Sequence, residues 1–283
     1  MNKGYLYLLL AAASYASMGV LVRAISVDTG PLLQTFLRLI VASLVIASLL
    51  IARNKSFTLK HNEDYPMIIL MGGIGYALQI ILFTLAIYHT TIGNTLFLMS
   101  GYPIVTALLA YLFLKEKIHK NLLIAFVLLC IALLLIFQPG GTGTSLLGNL
   151  YALGTCITFS LYVIWSRILS KRGNAPETIT LWSIAIGVVV SGIAAGVFET
   201  ITLDLSPQSL IFLVLFGVLN AAAFTFINKG FALVQATTGT MILMSEPIIG
   251  SLLGLLIFHE IPTVIFLIGA GILLSSVAIA IKK

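Results

Sequence analysis

One acidic residue, Glu246, lies near the middle of an apolar run over residues 236–258. A helix of this length can cross a hydrocarbon core of roughly 30 Å, because each residue adds about 1.5 Å. An ionised carboxylate at that depth costs at least ~2.5 kcal/mol, so such residues usually face a water-filled cavity or a partner. Pro247 follows directly, so we expect it to remove a backbone donor and to bend the helix. We therefore predict that Glu246 lines a transport path; the alternative is a protonated structural carboxyl group bonded to a neighbouring helix.

Burial gives Glu246 a second candidate role. A medium of low dielectric disfavours the charged form of a carboxyl group, so Glu246 could bind and release a proton as the cavity alternates. This would couple transport to protons.

Arg38 is the second candidate for binding. It lies about seven residues, roughly 10 Å, into the apolar run over residues 31–52. From this depth the side chain could snorkel to the headgroups, bind an anionic substrate group, or meet Glu246. If a zwitterion is carried, the guanidinium fork suits its carboxylate and Glu246 suits its ammonium group.

Polar and aromatic residues at helical spacing supply further candidates. Tyr76 and Gln79 are three residues apart and share one face of their predicted helix. Helix packing is the alternative interpretation for all of them. The remaining substrate-binding candidates are Asn220, Tyr102, Tyr162 and Ser14.

Two other acids, Glu116 and Glu260, lie at the ends of apolar runs, just before the next helix begins. Carboxylates in this position bind the free amides of a helix N-terminus, so we predict that both are structural caps. The histidines show no metal-ligand spacing. The sequence predicts no catalytic residue, no metal and no cofactor.

The helices that must position these residues are membrane spans. The chain of 283 residues is 60% hydrophobic and 8% charged, which is typical of an all-α polytopic membrane protein. The net charge of +6 does not indicate nucleic acid, because the basic residues lie between apolar runs. We expect the first run to be a retained helix. Ten runs are predicted to span: 4–24, 31–52, 66–88, 92–114, 121–137, 146–167, 178–198, 209–231, 236–258 and 263–281.

The basic residues predict the orientation of these spans. Thirteen of them fall on the side of both termini, and only Arg23 falls on the other side. By the positive-inside rule we expect both termini to be cytoplasmic, with the protein in the cell (inner) membrane.

An internal repeat runs through the chain at a constant offset of 144 positions. Pro103 matches Pro247 and Glu116 matches Glu260. We therefore divide the chain into repeats over residues 1–140 and 141–283. Each half holds five predicted spans, and because five is odd the second half must be inverted. A binding site is expected at their interface, near the midplane.

This pattern resembles the EamA-like family of the drug/metabolite transporter superfamily. The resemblance rests on the stretches 102–116 and 246–260, on Arg38, and on the repeat, and it covers the full length. It implies a secondary carrier, not an enzyme, that moves small metabolites, often amino acids, out of the cytoplasm by alternating access. Proton-coupled uptake of a small cationic or polar nutrient is the alternative. The expected partners are a small-molecule substrate, the lipid bilayer and protons. An intramembrane enzyme is disfavoured, because the spans lack clustered catalytic groups.

Overall fold

The computed structural model describes residues 3–137, 145–200, 205–249, 252 and 264–281. Within these ranges every regular element is a helix. A short 3-10 turn (Asn62–Asp64) precedes α4, and a π-helical segment (Met71–Leu78) joins α4 to α5. The α-helices are α1 (Lys3–Ala16), α2 (Met18–Ile25), α3 (Pro31–Ala52), α4 (Tyr65–Leu70), α5 (Gln79–His89), α6 (Ile92–Met99), α7 (Tyr102–Leu114), α8 (Lys120–Phe137), α9 (Leu146–Lys171), α10 (Pro176–Phe198), α11 (Pro207–Leu233), α12 (Ala236–Leu243) and α13 (Val264–Ile281).

Eight stretches of the described chain are long and apolar enough to cross a membrane. Large apolar side chains such as Leu44, Val127 and Phe198 project from the surface of the bundle, as lipid-facing residues do. The protein is therefore an integral, multi-pass membrane protein. Helix α8 is apolar but shorter, and the run 236–258 is described only to residue 249 and at Leu252. Ten spans accordingly remain a prediction.

Several spans that the sequence predicts as continuous helices are broken. The first is interrupted at Ser17, between α1 and α2, and the fourth at Ser100 and Gly101, between α6 and α7. In the ninth, turn residues 244–245 separate α12 from the helical residues 246–249. Each of the last two breaks is followed by a proline in the first helical turn, where its missing N–H costs nothing. Pro103 and Pro247 therefore start new helical segments; we had expected Pro247 to bend a single helix.

The two repeats pack on each other through equivalent elements. Helix α3 packs on α10 and α8 packs on α13, and in each pair the two helices are repeat partners. Helix α1 packs on α11, and α9 packs on α5. These two contacts are equivalent, because α9 is the repeat partner of α1 and α5 is the repeat partner of the end of α11. Gly217 allows α11 to approach α3, because an added Cβ would lie 2.5 Å from the Cβ of Val41. These reciprocal contacts relate the repeats by a pseudo-two-fold axis.

Polar contacts between loops join the two repeats at both ends of the bundle. At the end where α1 begins, which we call the basic end, Arg172 pairs with the buried carboxylate of Asp64 at 2.5 Å, and Asn174 donates to the same carboxylate. At the opposite end Asp28 accepts hydrogen bonds from the backbone N–H and the hydroxyl of Ser206. These bonds hold the pKa of Asp28 below its ordinary value. Each end thus joins a loop of one repeat to the start of a helix in the other.

Candidate functional site

A small cavity lies between the repeats, and we call it the central cavity. Its volume is about 10 Å³, which leaves room for one water molecule. Three predicted site residues, Glu246, Gln79 and Tyr102, line this cavity. The other lining residues are Ala12, Tyr15, Met99, Phe159, Ile227 and Leu243.

The cavity lies on the pseudo-two-fold axis, because its lining consists largely of repeat partners. Three pairs of lining residues are separated by the offset of 144: Tyr15 with Phe159, Met99 with Leu243, and Tyr102 with Glu246. Equivalent positions of two repeats can meet at one cavity only near the axis that relates them. The site is nevertheless chemically asymmetric, since one repeat contributes a carboxylate where the other contributes a phenol.

The broken spans position the two members of the last pair. Tyr102 is the first residue of α7, and Glu246 is the first residue of the helical segment after the turn at 244–245. Discontinuous membrane helices of this kind form the binding sites of many secondary transporters. The break therefore places a carboxyl group at an interrupted helix beside the central cavity.

Glu246 is 8% exposed, and its carboxylate has no hydrogen-bond or ion-pair partner within the described part of the chain. Two polar atoms near it are also unsatisfied, namely the hydroxyl oxygen of Tyr15 and Oε1 of Gln79. Buried polar atoms without partners are costly, which is characteristic of places where a ligand, a water or a proton binds. The cavity offers an acid and hydrogen-bonding groups, with aromatic rings beside them.

A second polar layer adjoins the central cavity without lining it. The hydroxyl of Tyr76 donates to Oδ1 of Asn220 at 2.5 Å, so these repeat partners bond each other directly. The hydroxyl of Tyr162 accepts from Nδ2 of Asn228 at 2.8 Å. Phe224 packs edge-on against the rings of Tyr76 and Tyr162, with centroids 4.4 and 5.1 Å away. The structure thus places Tyr76, Asn220 and Tyr162 in the packing between the repeats.

Arg38 is fully buried and does not reach the surface of the bundle, so the snorkelling interpretation does not describe it. Its Nη2 donates to the Thr84 hydroxyl at 2.7 Å, and its guanidinium carbon lies 4.2 Å from the centre of the Phe216 ring. Nε and Nη1 have no partner. Arg38 neither lines the central cavity nor forms an ion pair with Glu246. It is a buried cation with unused donors.

Ser14 does not line the central cavity, because its hydroxyl donates to the carbonyl of Leu10 in its own helix. The adjacent Tyr15 lines it instead. One residue along an α-helix rotates the side chain by about 100°, so Ser14 and Tyr15 lie on different faces of α1. The binding role of Ser14 stays a prediction. The repeat offset could have found Tyr15, since it pairs the aromatic residues Tyr15 and Phe159.

Glu116 binds a helix N-terminus, but not the one expected. Its carboxylate accepts from the backbone N–H of Ala236 and from the N–H and hydroxyl of Thr237, at the start of α12. The expected helix was α8, which follows Glu116 in the chain. The cap therefore joins the first repeat to the second. Glu260 lies outside the described residues.

Comparisons with known proteins cover nearly the whole chain. The EamA-like transporter family matches it twice, over residues 2–138 and 146–282. Three bacterial relatives are named as uncharacterized transporters. YoaV of Bacillus subtilis (strain 168) is 24% identical over 86% of this chain and 84% of its own length. YdfC of the same organism is 26% identical over 87% and 80%.

The third relative, from Clostridium kluyveri, is 22% identical over 92% of this chain and 87% of its own. A solved crystal structure superposes with a TM-score of 0.82, covering 98% of this chain and 96% of that one at 16% identity. This last likeness concerns the fold.

Proposed function

Because the chain belongs to the EamA-like transporter family, we propose that it is a secondary active transporter that exports amino acids or related small metabolites from the cytoplasm. One observation carries this proposal: an unpartnered carboxylate, Glu246, faces a cavity on the axis between two repeats. A cavity in this place can be exposed to either side when the repeats rock against each other.

The proposed location is the cell (inner) membrane, with both termini in the cytoplasm. The support is the basic end, where thirteen of the fifteen Lys and Arg residues lie if the ten predicted runs span. Under this orientation the basic end faces the cytoplasm.

In the proposed mechanism Glu246 binds either the ammonium group of the substrate or a proton. The two states exclude each other, because a carboxylate neutralised by a proton no longer attracts a cation. Gln79 and the hydroxyls of Tyr15 and Tyr102 orient the polar part of the substrate by hydrogen bonds. Arg38 is the proposed partner for an anionic group, since two of its donor atoms are unused.

The second candidate function is proton-coupled uptake of a small cationic nutrient. It is favoured by the lining of the central cavity, where Glu246 is accompanied by Tyr15, Tyr102 and Phe159 and by no basic residue. Aromatic rings and one acid suit a cation, whose charge interacts favourably with the ring faces. The direction of flux under an imposed pH gradient separates the two functions.

The decisive experiment is transport by the purified protein in liposomes, with a panel of amino acids and amines, with and without a pH gradient. We expect Glu246→Gln to abolish coupled flux, because the amide neither titrates nor attracts an ammonium group. Glu63→Gln is the matched control, since Glu63 is exposed at the basic end and far along the chain from the cavity residues. The control should transport like the wild type.

Both variants should elute as folded protein in size-exclusion chromatography. Wild-type flux through folded Glu246→Gln protein would refute the role of this carboxylate. Absence of transport for every panel member in the wild type would refute the proposed substrate class.

A further inference from the structure

A larger cavity of about 410 Å³ opens at the basic end, and we call it the vestibule. Its volume lies in the range of small-molecule binding sites. Elements of both repeats surround it, including the loop between α7 and α8, the start of α12 and the end of α13. The residues that matter for its chemistry are Tyr5, Lys117, His119, Arg167, Gln235 and Thr237.

The vestibule is positively charged, because its described lining contains basic residues and no acidic one. Lys117 and Arg167 both line it, and neither forms an ion pair within the described ranges. Nη1 of Arg167 donates to the carbonyls of Phe231 and Ala232, which carry no net charge, and its Nε is unpartnered. Two cations around one concave space attract an anion.

The nearest acid in sequence, Glu116, binds a helix N-terminus, although its charge is still close enough to attract the Arg167 guanidinium. It does not line the vestibule, and both of its carboxylate oxygens accept hydrogen bonds at the N-terminus of α12. Within the described ranges Glu116 forms these capping bonds and no ion pair with Lys117. Lys117 therefore remains available to a ligand.

The vestibule lies on the same face of α1 as the central cavity. Tyr5 lines the vestibule and Ala12 lines the central cavity, and these residues are seven positions, or about 10 Å, apart on one helix face. Leu8 lies between them and is fully buried against α11 and α12. An added Cβ on Gly230 would lie 2.5 Å from the Leu8 side chain, so Leu8 fills the layer between the two cavities.

We propose that the vestibule is a second binding site, in which Lys117, Arg167 and His119 hold the carboxylate or phosphate group of an anionic or zwitterionic ligand. Two sources share this chemistry, namely a soluble metabolite and the headgroup of an anionic phospholipid. The position beneath Leu8 makes it the access site for solutes that move between the cytoplasm and Glu246. This access role rests on the proposed function, whereas anion binding does not.

The test is direct binding of inorganic phosphate and of acetate to the purified full-length protein, measured by calorimetric titration at constant ionic strength. We expect Lys117→Gln to weaken phosphate binding about tenfold, since one charge-assisted contact is lost. Lys117→Arg should stay within about threefold of the wild type, because it keeps the charge. Lys120→Gln is the matched control: Lys120 is exposed, close in sequence and outside the lining.

A second arm separates the two sources. The protein is reconstituted in nanodiscs of phosphatidylglycerol or of phosphatidylcholine, and phosphate binding is measured in each. Unchanged phosphate binding in both lipids identifies a soluble ligand. Loss of phosphate binding in phosphatidylglycerol alone, in the wild type and in Lys120→Gln alike, identifies the lipid headgroup as the occupant. Both results support an anion site.

Anion binding that Lys117→Gln and Lys120→Gln reduce equally, or that is absent from the wild type, would overturn the proposal. The same titration on Glu246→Gln separates it from the proposed function. Phosphate binding should persist in that variant, so a loss of transport there concerns the central cavity alone.

Discussion

Tyr76 and Asn220 form a hydrogen bond between equivalent positions of the two repeats, with 2.5 Å between the phenol oxygen and Oδ1. Both side chains are fully buried, and Nδ2 of Asn220 has no partner. The bond therefore satisfies one polar atom on each side of the pseudo-two-fold axis in an environment where water cannot replace it. This hydrogen bond links the two repeats beside the central cavity.

We expect Tyr76→Phe to lower the free energy of unfolding by about 1 kcal/mol, because Oδ1 of Asn220 loses its donor. A double-mutant cycle with Asn220→Ala should give a coupling energy showing that the two side chains stabilise the folded protein together. Unfolding in mixed micelles of increasing SDS fraction measures both. Tyr111→Phe serves as the control, since Tyr111 is 57% exposed. Equal effects of the two Tyr→Phe changes would show that the bond contributes nothing.

At the scale of elements, the breaks in the fourth and ninth spans place Tyr102 and Glu246 at the central cavity. They occur at equivalent repeat positions, at residues 100–101 and 244–245. The third span differs between the repeats, because Met71–Leu78 is π-helical whereas the equivalent part of α11 is α-helical. π-helical turns are often found at functional sites, and this one carries Tyr76 and ends directly before Gln79.

The N-terminus of α12 gives a prediction at this scale. Glu116→Ala removes the acceptor for the N–H groups of Ala236 and Thr237, and loss of a helix cap typically costs about 0.5–2 kcal/mol. We expect a lower midpoint of thermal unfolding in detergent for this variant. Glu63→Ala, at an exposed acid of the same end, should leave the midpoint unchanged. A wild-type midpoint for Glu116→Ala would contradict the capping role.

At the scale of the whole molecule, one polar contact between the repeats lies at each end of the bundle, and we propose that these contacts are the two gates of the transport cycle. The basic end is joined by Arg172 and Asp64, and the opposite end by Asp28 and Ser206. Asp28 and Arg172 are themselves repeat partners, with opposite charges at opposite ends. In the proposed cycle these polar contacts break and re-form in turn as the cavity changes sides.

The inverted arrangement can be tested with two exposed positions that are repeat partners, Val27 and Lys171. In a variant without Cys130 and Cys156, a cysteine at Val27→Cys should react with a membrane-impermeant maleimide added to intact cells. A cysteine at Lys171→Cys should react only after permeabilisation, because inversion places it on the cytoplasmic side. Labelling of both positions from the same side would contradict the inversion and the proposed transport cycle.

Several residues show how far sequence reasoning could reach at the site. Glu246, Gln79 and Tyr102 were predicted and line the central cavity, because an acid deep in an apolar run and polar groups at helical spacing are visible in the linear chain. Ser14 was chosen in place of Tyr15, because an apolar helix gives little indication of which face is inward. Tyr162 and Arg38 were predicted to bind substrate; they hydrogen-bond other side chains between the helices and do not line this cavity, and their binding roles stay predictions.

By itself the sequence determined the membrane class, the apolar runs and the repeat, because hydropathy and the offset of 144 are properties of the chain in order. Only the tertiary structure decided that two spans break beside the central cavity, that Glu116 binds α12, and that Lys117 and Arg167 meet around one vestibule. These features depend on contacts between residues 50 or more positions apart, or on whether packing bends a helix or breaks it. Local periodicity carries no information about either.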